Sequence, residues 1–219
     1  MLRKGFKDAA DDLRYLLSRG YNREGAVSFV GDKHQLDRTE RLVLYRAVYD
    51  SKTAEDHCQK KLQIDAVADK VLGVDGYNVI ITVESMLMDK LLIICDDGFV
   101  RDVSAVHGSH KPTGVTEDAL KTILSFLREY RPLRVGFFYD SQVSHSGELA
   151  SVTRHLLKDH AISGKTEAVK KADTSALKYG EIVASSDAVL IEKAKKLVDL
   201  AGELAKRSAQ ARIVNLREV

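Results

Sequence analysis

Cysteine is scarce in this chain, because only Cys58 and Cys95 occur among its 219 residues. They form no close pair and no CxxC, which supports neither a disulfide framework nor a cysteine zinc site. We interpret both as ordinary thiols. Proline is equally rare, with Pro112 and Pro132 alone, and no tract rich in glycine and serine marks a flexible linker.

Long apolar runs are also missing. No run approaches the roughly 18 apolar residues needed to span a bilayer. The start, MLRKGFKDAADDLRYL, carries charges where a signal peptide has an apolar centre. We therefore expect a cytoplasmic protein that does not enter a membrane.

A strong excess of one charge is absent too, since 34 Lys and Arg stand against 32 Asp and Glu. Any contact with RNA or DNA must therefore come from a local basic patch. The length and the 44% hydrophobic content suit one large domain, or one domain with an appendage.

The first part of the chain has the periodicity of helices. In FKDAADDLRYLLSRG the apolar residues recur every three or four positions, and REGAVSFVGDKHQ indicates a shorter helix ending at Gly31. Asp37 and Glu40 have the spacing of a capping box at the start of the next helix. A last helix is expected from about Thr53 to Ala68. We interpret residues 1–69 as a helical module.

From residue 70 the pattern alternates between strands and helices. We predict strands in KVLGVDGYNVIIT, LRVGFFYD, KTEAVK, EIVAS and ARIVNL, and a β-hairpin around the turn CDDG. Helices are expected after Thr116, from about Ser146 to Lys158, and from Ser186 to about Lys196. This alternation predicts an α/β fold over residues 70–219, with a parallel sheet covered by helices on both faces.

Three of the predicted strands are followed by aspartate, at Asp75, Asp140 and Asp187. If these strands are neighbours, the carboxylates meet at the edge of the sheet where parallel α/β folds bind ligands. Like charges so placed repel unless a cation joins them, and oxygen ligands suit Mg²⁺ or Mn²⁺. Each aspartate also has a local interpretation, as a turn, a loop cap or the start of a helix.

Two loops add polar side chains. Ser144 and Ser146 precede a helix in DSQVSHSGE, where they can receive a phosphate or cap the helix. His107 and His110 lie three apart in VHGSHKP, but the glycine and proline there argue against a helix. We interpret that segment as a loop that faces solvent or substrate, with His107 as a candidate phosphate contact.

The helical module offers a candidate contact with RNA. Arg38, Arg41 and Tyr45 fall at i, i+3 and i+7 on one side of their helix. Arginine pairs with phosphate, and tyrosine can stack on an unpaired base. The alternative is a surface of salt bridges in which Asp37 and Glu40 are the partners.

The segment VDGYNVI resembles the first strand of PIN-like and NYN-type nucleases, in which an aspartate and a nearby asparagine sit at a Mg²⁺ or Mn²⁺ site. Together with CDDGFVRDVSAVHGS, DSQVSHSGELA and ASSDAVLIEKA it is also similar to a largely archaeal family catalogued as domain of unknown function 434. The N-terminal segments LLSRGYNREGAVSFVGDKHQL and RTERLVLYRAV extend this likeness over nearly the whole chain. The close family has no settled activity, whereas the PIN-like superfamily implies metal-dependent cleavage of RNA.

The resemblance to PIN-like nucleases implies a set of site residues, which are Asp75, Asn78, Asp140 and Asp187. PIN-like enzymes usually add an acid from a helix between the first strands, but here the predicted hairpin occupies that interval. Glu84, Asp102 and Glu148 are the alternatives. We prefer Glu148 because it lies one turn into the helix that follows Asp140.

The expected function is therefore that of a metal-dependent ribonuclease with Mg²⁺ or Mn²⁺ as cofactor and RNA as partner. An RNA-binding module without catalysis and a phosphate- or nucleotide-binding α/β protein are the alternatives. The sequence leaves self-association into a homodimer open.

Overall fold

The computed structural model describes residues 5–103 and 110–218. Its N-terminal part contains four helices, which are α1 (Phe6–Ser18), α2 (Arg23–Lys33), α3 (Arg38–Ala47) and α4 (Ser51–Lys60). The predicted helices are confirmed, but the last one ends earlier than expected. It ends at Lys60 because the chain then becomes extended and enters a sheet.

Within the described residues, six strands form a fully parallel sheet. In chain order they are β1 (Lys61–Leu62), β2 (Val71–Asp75), β5 (Arg134–Asp140), β6 (Gly164–Val169), β7 (Ile182–Ala184) and β8 (Leu197–Val198). Their spatial order is β1-β8-β7-β2-β5-β6. A second sheet contains β3 (Leu91–Ile94), β4 (Val100–Asp102) and β9 (Arg212–Asn215), with β3 in the centre.

Helices cover both faces of the large sheet, as the α/β prediction requires. They are α5 (Gly76–Leu87), α6 (Gly114–Tyr130), α7 (Ser146–Asp159), α8 (Ala172–Tyr179), α9 (Ala188–Lys193) and α10 (Leu200–Arg207). Successive residues of a strand point to opposite faces. Phe137 accordingly packs in the core beneath α5, α6 and α7, whereas Phe138 packs with α8 and α9.

Helix α8 crosses β2 very closely. A Cβ atom added at Gly73 would lie 2.2 Å from the backbone oxygen of Ala176. Only glycine therefore fits at the middle of this strand. Helix α8 starts near the carboxyl end of the sheet because it follows β6 after two residues.

The strand predicted in KVLGVDGYNVIIT is correct only up to Asp75, because the chain turns into α5 at Gly76. Helix α5 is buried along almost its whole length, so its apolar residues do not follow a one-sided period that separates helix from strand. Helix α9 is also shorter than predicted because β8 follows it. The sequence prediction missed α8 and α10.

The predicted hairpin is confirmed, since β3 and β4 pair antiparallel. The predicted last strand, β9, pairs in parallel with β3 and so belongs to the small sheet. The apolar core between α1, α2 and α3 includes Ile93, Cys95 and Leu216 from this small sheet and its surroundings. The small sheet thus packs against the helical part of the chain. Among the described residues, no helix has the length and apolar character needed to cross a membrane.

The capping box of α3 has both of its hydrogen bonds. Asp37 Oδ1 accepts from the backbone N–H of Glu40 at 2.8 Å, and Glu40 Oε2 accepts from that of Asp37 at 3.0 Å. We expect Asp37→Ala to lower the free energy of unfolding by about 1 kcal/mol, measured by urea denaturation. Asp8→Ala is the control, because exposed Asp8 lies in the first turn of α1 without such a bond. An equal loss in both variants would contradict the prediction.

Candidate active site

The strands that end in the predicted aspartates are neighbours, in the order β7-β2-β5. Asp75 ends β2, Asp140 ends β5, and Asp187 follows β7 by three residues. All three line one pocket of about 220 Å³ at the carboxyl ends of the strands. We call it the acidic pocket, and its remaining lining residues are Tyr77, Lys170, Lys171, Ala172 and Asp173.

Asp75 is the buried carboxyl group of this pocket, with 9% of its surface exposed. Its Oδ2 accepts a hydrogen bond from Ser185 Oγ at 2.9 Å. Burial, with the negative charges of Asp187 and Asp173, raises the pKa of Asp75 to about 7. Asp75 therefore holds a proton up to neutral pH unless a cation favours its charged form.

Asp140 and Asp187 are half-buried, and each also has the local role that the sequence left open. Asp187 Oδ1 accepts from the backbone N–H of Leu190 at 3.0 Å and so caps α9. Asp140 Oδ1 accepts from the backbone N–H of Gln142 at 2.9 Å. The second oxygen of each carboxylate takes no part in these bonds, so the local role and a role in the pocket are compatible.

Asp173, at the start of α8, is the fourth carboxylate in the acidic pocket. Although burial opposes ionisation, hydrogen bonds from Thr174 and Lys193 lower the pKa of Asp173. Asp173 is not among the predicted site residues, because α8 is not evident from the sequence pattern. The available signal was an aspartate three residues after the predicted strand KTEAVK.

Glu148 is not among the residues that line the acidic pocket. Its side chain is 78% exposed and bonds to His145, which precedes α7 with a left-handed backbone. The first turn of α7 thus presents Glu148 to solvent. Glu84 and Asp102, the other two alternatives, are both buried away from this pocket; Glu84 bonds to His110 and Asp102 to Arg46.

Asn78, which the resemblance to PIN-like nucleases implied as a site residue, does not line the acidic pocket and forms hydrogen bonds within the protein. It is 6% exposed, and its Oδ1 accepts from the backbone N–H of Ser186 at 2.8 Å and from Ser186 Oγ at 3.1 Å. These bonds tie α5 to the segment between β7 and α9. Because Ser186 directly precedes Asp187, these bonds also hold Asp187 in position.

The other predicted contacts do not line the acidic pocket either. Ser144 is exposed and Ser146 is buried at the start of α7. His107 lies outside the described residues. His110 is buried, which contradicts the interpretation that it faces solvent or substrate.

The two arginines of α3 differ in their surroundings. The Arg41 guanidinium donates to the backbone oxygens of Leu36 and Ser28 and to the Asp32 carboxylate at 2.8 Å. Arg41 therefore holds α2 and α3 together through a salt bridge, but its partner is Asp32 and not the expected Asp37 or Glu40. Arg38 is exposed.

Tyr77 is a pocket residue that the sequence analysis missed. It is 3% exposed, and its hydroxyl has no hydrogen-bond partner among the described residues. Burial and the nearby Asp140 raise the pKa of Tyr77 to about 12. Tyr77 therefore keeps its proton and can donate a hydrogen bond in the acidic pocket.

The four aspartates share a pocket but have no common coordination point. Within residues 5–103 and 110–218, no group of three or more His, Cys, Asp or Glu side chains is arranged to hold an ion. An ion bound in the acidic pocket would therefore require side-chain movements or additional ligands from water and substrate.

The fold and this pocket define an α/β protein with an acidic cleft at the carboxyl ends of a parallel sheet. The domain of unknown function DUF5616 matches residues 64–203, and the protein of unknown function DUF434 matches residues 5–60. The chain belongs to the DUF5616 family, with a DUF434 segment at its N-terminal side. The predicted likeness to family 434 is thus confirmed for residues 5–60, but it does not extend over the whole chain.

One relative is similar to this chain over most of its length. The chain is 33% identical over 197 residues to the uncharacterized protein MJ0935 of Methanocaldococcus jannaschii. The matched stretch covers 89% of this chain and 94% of that protein. No solved structure matches the chain.

Proposed function

We propose that this protein is a metal-dependent ribonuclease whose acidic pocket holds Mg²⁺ or Mn²⁺. The observation that carries the proposal is that Asp75, Asp140 and Asp187 come from three adjacent strands and line one pocket. Burial, with the negative charges of Asp187 and Asp173, raises the pKa of Asp75, and a bound cation would favour its charged form. The resemblance of VDGYNVI to PIN-like and NYN-type nucleases supports the same function.

The donor set of the acidic pocket suits a hard divalent cation, because its acidic lining residues offer carboxylate oxygens and none of the described residues that line it is a histidine or cysteine. Asp75, Asp140 and Asp187 would hold the ion, and Asp173 replaces Glu148 as the fourth acid. A bound ion would activate the water that attacks the phosphorus atom and would neutralise charge on the leaving 3′ oxygen. Breaking the bond between phosphorus and that oxygen leaves a 3′ hydroxyl on one product and a 5′ phosphate on the other.

The remaining pocket residues have roles in binding and orientation. The exposed Lys170 and Lys171 attract the phosphate backbone of RNA. The Tyr77 hydroxyl donates to a phosphate oxygen. Ser185 holds Asp75 in place by donating a hydrogen bond to its carboxyl group. Asn78 holds Asp187 in place indirectly, because it bonds to the neighbouring Ser186.

An RNA-binding protein without catalysis is the second candidate. The lack of a common coordination point for the aspartates within the described residues favours it. Both candidates require RNA binding, so cleavage is the property that separates them.

The direct test incubates the purified protein with labelled single-stranded RNA and Mn²⁺, Mg²⁺ or a chelator. Cleavage that requires the ion and leaves 5′-phosphate ends supports the ribonuclease. Binding without cleavage supports the second candidate. If the RNA is neither bound nor cleaved, a phosphate- or nucleotide-binding role on small molecules is favoured over both.

The charge state of Asp75 predicts how stability depends on pH when no divalent ion is present. Its pKa rises from the ordinary 3.8 to about 7 on folding. At pH values between these two pKa values, the folded protein therefore binds a proton that the unfolded chain does not. The free energy of unfolding should therefore fall as pH rises from about 4 to about 7, by about 4 kcal/mol in total. Asp75→Asn should remove this contribution, which thermal unfolding of both proteins across the pH range would measure.

Mn²⁺ should restore the stability that is lost at higher pH, and it should do so mainly in the wild-type protein. Above pH 7, millimolar Mn²⁺ should raise the Tm of the wild type by several degrees, since a chain of this size gains about 2–4 °C for each kcal/mol. Asp75→Asn should show a much smaller increase. An equal increase in both proteins would mean that the ion binds elsewhere.

A further inference from the structure

A second cavity, of about 500 Å³, lies between the helical module, β4 of the small sheet and the segment that enters and forms α9. We call it the Arg–Tyr cavity, and its main lining residues are Arg23, Tyr45, Arg46, Tyr49, Arg101 and Asp187. Asp187 also lines the acidic pocket. The two cavities therefore meet at one of the proposed metal ligands.

Arg23 supplies a positive charge that its hydrogen bonds do not neutralise. Its Nη1 donates to the backbone oxygens of Tyr45 and Val48, both at 2.8 Å. The guanidinium carbon lies 4.6 Å from the centre of the Tyr49 ring and 5.8 Å from that of Tyr45. The positively charged guanidinium group of Arg23 and the two tyrosine rings thus lie on one wall of the cavity.

Arg101 and Arg46 are more firmly held. The Arg101 guanidinium is buried, donates twice to Asp97, and donates to the backbone oxygen of Ser186 at 2.7 Å. Arg46 donates to Asp102 at 3.4 Å. These bonds make this part of the wall rigid and tie it to Ser186, next to Asp187.

We propose that the Arg–Tyr cavity binds a nucleotide of single-stranded RNA adjacent to the phosphate that lies in the acidic pocket. The inference rests on the proposed function and deepens it, because it names single-stranded RNA as the substrate class. Arg23 pairs with a phosphate, and Tyr45, which is 41% exposed, stacks on the base. The cavity has the volume of a small-ligand site, which admits one nucleotide and not a duplex.

The aromatic rings favour RNA over a phosphorylated peptide, because every base presents a flat face for stacking. Cations line the acidic pocket as well, at Lys170 and Lys171. An RNA strand that occupies both cavities therefore has positive side chains near its phosphates, and the aspartates remain available to bind the metal ion.

The test measures binding without cleavage, by fluorescence anisotropy of a labelled oligouridylate in the Asp75→Asn background with chelator. Adding Tyr45→Ala should weaken binding by about fivefold or more, whereas Tyr45→Phe keeps the ring and should bind normally. Arg23→Gln should weaken binding and reduce the slope of log K against log salt by about 0.7. An acidic phosphopeptide should compete poorly.

Arg128→Gln is the matched control for lost positive charge. Arg128 is exposed and lines a different cavity with Arg131 and His160, beside the segments that enter β5 and β6. It therefore lies at the opposite end of the strands from the acidic pocket. This variant should bind RNA as the background protein does.

Arg23 also holds backbone oxygens at the end of α3, so Arg23→Gln could weaken the fold itself. The thermal unfolding of each variant is measured, and Arg23→Lys should restore part of the salt dependence. Glu192→Gln gives an independent test, because it removes an exposed negative charge from the same cavity. It should strengthen binding about twofold, which a purely structural role of this wall does not predict.

The outcomes separate this inference from the proposed ribonuclease activity. Metal-dependent cleavage by the wild type, with normal binding by folded Tyr45→Ala and Arg23→Gln variants, would overturn the inference alone. Binding that depends on both residues without any cleavage would support the inference and remove the proposed activity. Equal weakening by Arg128→Gln, or strong competition by the phosphopeptide, would also overturn the inference.

Discussion

Asp75→Asn should reduce the rate of RNA cleavage at least about a thousandfold, which corresponds to about 4 kcal/mol of transition-state stabilisation. Asp75 is the most deeply buried acid of the acidic pocket and lies on the central strand between β5 and β7. An asparagine side chain has the same size but cannot carry the negative charge that a divalent ion requires. Cleavage of labelled single-stranded RNA in Mn²⁺ measures the effect.

Two neighbouring substitutions make this experiment specific. Glu148→Gln should retain nearly full activity, because Glu148 is exposed and pairs with His145. Asp173→Asn should lose more activity than Glu148→Gln, because Asp173 lines the acidic pocket. If Asp75→Asn cleaves RNA at the wild-type rate, the activity belongs to a contaminating nuclease.

Asp97→Asn should lower the free energy of unfolding by about 3–5 kcal/mol. Asp97 is fully buried and accepts from Arg101 Nη1 at 2.8 Å, from Arg101 Nη2 at 2.7 Å, and from His57 Nδ1 at 3.0 Å. The substitution leaves the buried Arg101 guanidinium without its negative partner, which is the costly part of breaking such a pair. Urea denaturation measures the loss.

The exposed pair between Glu117 and Lys121 is the control. Both side chains are about half exposed, at 51% and 49%, so Glu117→Gln should cost less than about 1 kcal/mol. The double variant Asp97→Leu with Arg101→Met should recover part of the stability, because it removes both buried charges. Similar losses for Asp97→Asn and Glu117→Gln would contradict the prediction.

The Asp97 pair also predicts acid sensitivity. Although burial opposes ionisation, the Arg101 charge and the hydrogen bonds from His57 and Arg101 hold the pKa of Asp97 well below its usual range. The folded state therefore favours the charged form, and this stability is present above about pH 4 and lost as pH falls below it. The sign is opposite to that of Asp75, whose raised pKa removes stability as pH rises.

Local patterns were the most predictable part of the fold. The capping box at Asp37 and Glu40 and the turn at Gly98 depend on residues close together in the chain, and both form as predicted. The strand prediction that ran past Asp75 failed for a different reason. Helix α5 is buried on almost every side, so only its surroundings distinguish it from a buried strand.

The candidate site was predictable where it depends on strand ends. Asp75, Asp140 and Asp187 were recognised because each follows an apolar run, and adjacent strands bring them to one pocket. Asp173 was missed because α8 was not predicted. Glu148 was preferred because it lies close to Asp140 in the sequence. That distance does not determine which way the first turn of α7 faces, and the structure turns Glu148 toward solvent.

The sequence by itself determined the alternation of strands and helices, the helix caps, and the placement of acids at strand ends, because these follow from short-range periodicity and local hydrogen bonds. Only the tertiary structure decided which strands are neighbours. It also decided that Arg41 forms bonds that join α2 to α3, and that the Arg–Tyr cavity meets the acidic pocket at Asp187. These features join residues far apart in the chain, and their positions depend on the packing of the whole core.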